Sequence, residues 1–181
     1  MDNPTTLLVA IMFVTIVVTG LINILMFLSD IVAGKRKTDA LHTSWIVLLF
    51  IAYLNFFWQT TLILEIEGWS FLSFTGFIIG PIVLFFATHL LVTIPNGSEQ
   101  DIPDHDYFEH SGRFFFLLVL VQTWTVCLDI AFDAIGHLTW LAGFLGMIFL
   151  LLAISRNHKL HLSGTLLAWA ILAFKTVLQS L

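Results

Sequence analysis

Apolar residues come along this chain in long uncharged blocks separated by short polar ones. A bilayer crossing takes about 20 mostly apolar residues, so blocks of this kind predict membrane-spanning helices. Six are predicted, over about 5–28, 44–64, 69–92, 114–133, 138–154 and 161–180. The breaks have recognisable chemistry: Ser29-Asp30 with Gly34-Lys35-Arg36-Lys37, Glu65-Ile66-Glu67-Gly68, Pro95-Asn96-Gly97, a turn around Ala134 to Gly136, and Arg156 to His161. The expected architecture is an all-α polytopic integral membrane bundle, a single transmembrane domain over 1–181 with one long polar loop at 96–112.

Orientation follows from lysine and arginine, which short cytoplasmic loops retain. Lys35, Arg36, Lys37, Arg113, Arg156 and Lys159 all fall in the connections after the first, third and fifth blocks. Those connections are expected in the cytoplasm, and both termini outside it. The segment Met1 to Thr6 carries Asp2 and no basic residue, the reverse of a cleaved signal peptide, so the first block is expected to stay as a span. Trp45, Trp69 and Trp140 stand near span ends, where indole rings favour the headgroup layer.

Composition sharpens the class. Hydrophobic residues make up 59% of the chain and charged ones 10%, against roughly half and a quarter in a soluble domain. The net charge of −5 shows no basic face, which argues against nucleic acid as a partner. Cys127 is the only cysteine, so neither an internal disulfide nor a cysteine metal cluster is available. The expected location is the cell's inner (plasma) membrane, with the lipid bilayer, and another membrane protein or a second copy of this chain, as partners.

Charges within the spans are the first candidate chemistry. Arg113 and Asp129 bracket fifteen residues, too few to cross a hydrocarbon core of about 30 Å, which places Asp129 inside the outer leaflet. Lys159 and Lys175 have the same spacing on the last span, so Asp129 and Lys175 are expected at one depth as a candidate ion pair. Snorkelling of both groups to the outer surface is the open alternative. Gln122, Thr125, Asp129 and Asp133 share one helical face, as do Asn55 and Gln59. Such stripes predict either a polar path in the outer half of the bundle or hydrogen bonds between packed spans, where small residues such as Gly76, Gly80, Gly143 and Gly146 also gather.

The second candidate is a divalent metal at the cytoplasmic face. His105, His110, His158 and His161 with Asp104, Asp106 and Glu109 supply imidazole and carboxylate ligands suited to zinc, iron or manganese. The alternative is a solvated polar loop, with Asp104 to Gly112 forming an interfacial helix that leads into the fourth span. The tight histidine boxes of membrane hydroxylases are absent, as are a Gly-rich phosphate loop and a His-Glu-x-x-His motif.

The aromatic pair Phe57-Trp58, the opening Trp69-Ser70-Phe71 with Phe74, then Pro81, Pro95, Tyr107-Phe108-Glu109-His110 and Arg113-Phe114-Phe115 resemble a family of small bacterial polytopic inner-membrane proteins whose activity is uncharacterised. The resemblance covers under half the chain, implies a membrane bundle, and carries over no functional residue. Members of that family often have more arginine around the position of His110, a basic patch that Ser111-Gly112 interrupt here. Three function classes follow from the residues. The first is a permease or ion- or proton-conducting unit centred on Asp129 and Lys175. The second is a non-catalytic accessory, sensor or scaffold subunit, and the third a metal-dependent membrane enzyme using the histidines.

Overall fold

In the computed structural model every described element is helical. It describes residues 4–36, 38–58, 60–64, 66, 68–93, 103–132 and 139–180, with the side chains at 62, 103–110, 132 and 175–180 outside that description. The helices are α1 (Pro4–Val32), α2 (Ala40–Trp58), the single turn α3 (Thr60–Ile63), α4 (Phe71–Val92), α5 (Pro103–Phe132), α6 (Thr139–Ile154) and α7 (His158–Ser180). Four stretches, Pro4–Val32, Ala40–Trp58, Phe71–Val92 and Ser111–Ala131, are long and apolar enough to cross a membrane. At 16 residues α6 is shorter, about 24 Å of helix.

Local chemistry sets several helix starts. Asp39 Oδ2 accepts the Leu41 N–H at 3.2 Å before α2, and Asn157 Oδ1 accepts the Lys159 N–H at 3.0 Å before α7. At α4, Ser70 and Ser73 form a reciprocal capping box. Within the long polar connection expected over 96–112 the backbone is helical from residue 103, where a helix over Asp104 to Gly112 is also expected, and this helix is continuous with the apolar stretch that follows, so that α5 enters the bundle already wound. Proline suits a first helical position and the acids that follow suit the positive helix end, which accounts for this earlier start.

Long-range contacts fix two ends of the bundle. At the basic end, Arg36 Nη1 donates to the Val92 carbonyl at 2.8 Å, and its guanidinium lies 4.6 Å from the Phe27 ring centroid. Phe27 in turn stacks on His42 at 5.5 Å. At the other end the Thr6 hydroxyl donates to the Ile66 carbonyl, and Trp69 meets Phe77 edge to face. The helices alternate between these ends.

Two aromatic layers tie them together. In one, Phe13, Phe56, Phe77 and Trp124 join α1, α2, α4 and α5, with Phe56 stacked on Trp124 at 5.7 Å. Trp124 is seated deeply: its Nε1–H donates to the Gly76 carbonyl at 2.6 Å, and its ring covers Gly80, where a Cβ would overlap it. In the other layer Trp45 packs edge-on against Phe114, Phe115 and Phe149, and Phe115 also meets His161, joining α2, α5, α6 and α7.

Trp45 is therefore a core residue, 2% exposed, and not the headgroup anchor its position suggests; its distance along α2 puts it opposite three phenylalanines. Trp140, at 62%, does face outward. Large apolar side chains such as Leu8, Met26, Phe71, Ile130 and Leu166 cover the outside, more apolar surface than a soluble monomer leaves in water. The bundle has the surface of a membrane-associated protein.

Candidate functional site

Between α2, α5, α6 and α7, with Leu84 of α4 at its side, lies a cavity of about 190 Å³. Its position follows from the second aromatic layer. Trp45 and Phe149 hold the helices together near the basic end, and Trp169 Nε1–H, donating to Ser44 Oγ at 2.8 Å, pins α7 to α2 there. Smaller residues, Ala168 beside that pin and Ala52 and Ala142 farther from it, line the wall and leave the space.

The lining is graded. Trp45, Leu49, Leu118 and Phe149 form the floor, and behind them Phe114 and Phe115 are fully buried. Towards the other end come Asn55, Gln122, Thr125, Asp129 and Thr139. Gln122, Thr125 and Asp129 are three, then four, residues apart on α5, so one stripe of that helix faces the cavity. Thr125 Oγ1–H donates back to the Val121 carbonyl at 3.0 Å, leaving its lone pairs toward other partners. Among the described residues, neither Gln122 nor Asp129 has a hydrogen-bond or ion-pair partner, and Asp129 is the only formally charged residue of the lining.

The structure thus brings Asn55, Gln122, Thr125 and Asp129 around one space. Gln59 and Asp133 lie outside the described residues, and so does the side chain of Lys175, whose ion pair with Asp129 is therefore not placed. Sequence reasoning missed Thr139 and Trp45 as lining residues. Thr139 opens α6 and belongs to no stripe, while Trp45 looks like an interface residue until the three facing phenylalanines are known. The glycines divide: Gly76 and Gly80 receive Trp124, Gly146 touches Gln122 Cβ at 3.5 Å, and Gly143 has nothing within 4 Å of where a Cβ would stand.

Of the candidate metal ligands, His161 is fully buried, shares a 2.8 Å hydrogen bond between Nε2 and the Ser155 carbonyl, and packs on Phe115. These contacts give it a structural task at the start of α7. His158 is exposed. The backbone of His105, His110, Asp104, Asp106 and Glu109 is part of α5, and their side chains lie outside the described residues. Among the described residues no three His, Cys, Asp or Glu side chains gather as a metal site.

No family model matches this chain, and neither the curated proteins nor the solved structures contain one similar to it.

Proposed function

We propose that this chain is a six-pass protein of the inner (plasma) membrane, with its basic loops in the cytoplasm, that acts as a small permease through the cavity between α2, α5, α6 and α7. The observation that carries this reading is the meeting of Asn55, Gln122, Thr125 and the carboxylate of Asp129 at one end of an otherwise apolar space. Ionisable groups within membrane spans are costly and tend to mark substrate or ion pathways. A bundle packed only for its own stability gains nothing from leaving a carboxylate on a cavity wall. The floor of Trp45, Phe149 and Leu118 favours a solute-binding permease over a continuous water-filled ion path, because an ion leaving the polar end meets no further polar residue there.

The orientation rests on the lysine and arginine distribution, which would open the polar end of the cavity toward the outside. The test is uptake into vesicles containing the purified protein, compared with the Asp129→Asn variant across a panel of small solutes. The expected result is a loss of flux of tenfold or more for the transported solute, with the variant still folded. Equal flux for every solute in both proteins would overturn the proposal.

A further inference from the structure

Accepting the cavity as the working site, we infer that its substrate class is a small organic monocation, an amine carried on a compact apolar or aromatic body. The argument begins with sign. The described lining offers one carboxylate and no lysine, arginine or histidine, so an anion finds no counter-charge and a cation finds one. In surroundings of lowered dielectric that difference is strong, because opposite charges attract far more there than in water. Asp129 has no ion-pair partner among the described residues, so its negative charge is the main electrostatic feature of the space.

Polar geometry supports the same class. Gln122 and Asp129 stand seven residues apart on one face of α5, about 10 Å along the axis, with Thr125 between them. The Asp129 carboxylate and the Thr125 hydroxyl, one turn away, are acceptors that suit the N–H donors of an ammonium group, while the more distant Gln122 amide, which both donates and accepts, does not discriminate by sign. A sugar or other polyol would need many more polar partners than this wall supplies, each missing one leaving a desolvated hydroxyl.

The remaining wall selects the body. Trp45, Phe56 and Phe149, with Leu48, Leu118 and Leu145, give flat and branched apolar surfaces opposite the acid. The volume of about 190 Å³ is somewhat larger than an apolar cavity of roughly 150 Å³ that accommodates benzene, which leaves room for a ring and a short side arm. An arylalkylamine, with its ring on this apolar floor and its ammonium toward the acid, fits both ends.

The probes are 2-phenylethylammonium, its near-isosteric neutral alcohol 2-phenylethanol, and the anion 3-phenylpropanoate, each titrated calorimetrically against the full chain in nanodiscs of zwitterionic lipid. The amine is expected to bind at least tenfold more tightly than the alcohol, and the anion not at all. Asp129→Asn should reduce amine affinity to that of the alcohol and leave alcohol affinity within about twofold. Ala142→Phe, which fills the space from the α6 wall and leaves the acid itself unchanged, should abolish both, and serves if the Asp129 variant does not fold. Equal binding of amine and alcohol to the native chain overturns the charge assignment while leaving the permease reading to be judged by flux. Amine binding that appears only after Lys175→Met overturns it too, because the chain's own amine would then hold the place. Absence of binding by every probe overturns it as well.

Discussion

Gly80 shows how closely the bundle is fitted at single positions. The indole of Trp124 occupies the place of the missing side chain, held by its hydrogen bond to the Gly76 carbonyl, so a methyl group there must displace a ring locked by Phe56 and Phe77. Overpacking of this kind costs about 1–3 kcal/mol, offset only in part by the better helix propensity of alanine. Gly80→Ala should therefore lower the denaturation midpoint in mild detergent clearly, whereas Gly143→Ala, with open space around it, should leave the midpoint unchanged or slightly raised. A Gly143 variant as damaging as the Gly80 one would refute this division. At the same scale the polar stripe of α5 was readable from spacing alone, because a helix turns a run of Gln122, Thr125 and Asp129 into one face. Trp45 and Thr139 were not readable, since their roles depend on which residues other helices bring opposite them.

At the scale of elements, the strongest device is Arg36, which belongs to a connection and yet joins three helices. Its planar guanidinium covers Phe27 near the end of α1, Phe27 stacks on His42 of α2, and Nη1–H satisfies the Val92 carbonyl at the end of α4. A helix C-terminus leaves such carbonyls without internal donors and favours a cation beside them. Arg36→Ala should cost about 1 kcal/mol of stability from the lost charged hydrogen bond and ring contact. Arg36→Lys should recover less than half, because an ammonium lacks the flat face that stacks. Full recovery by lysine, read from thermal denaturation of the two variants, would show that charge alone matters. The positions of most helices were legible in the hydropathy blocks, and the aromatic residues around Asp104 to Gly112 point to a helix leading into the fourth span; what was not legible is that this helix and the span are one continuous element from Pro103. That early start is set by terminal chemistry and continuation from the apolar segment, which a reading based on burial does not detect.

For the whole molecule, the alternation of the helices gathers the described lysine and arginine side chains at one end, beside Asp30 and Asp39, and puts Asp129 toward the other, so that lysine and arginine, rather than net charge, are polarised along the axis. Four helices meet the length and apolarity needed for a span, while α6 at 16 residues falls short of about 20. In the proposed six-pass arrangement such a short helix would be accommodated by local thinning of the bilayer at modest cost, and α6 is also held by its aromatic contacts to α2 and α5. The polarity then gives a direct test of topology. With Cys127 replaced by serine, single cysteines at Asp2, Glu67, Lys35 and Arg156 can be challenged in intact cells with a membrane-impermeant maleimide. Asp2→Cys and Glu67→Cys should label without lysis, and Lys35→Cys and Arg156→Cys only after it. The reverse pattern would turn the cavity's polar end toward the cytoplasm and change the direction from which a cation is offered to Asp129. Labelling of Lys35→Cys and Arg156→Cys on opposite sides would break the alternation itself, and with it the six-pass arrangement on which the permease reading depends.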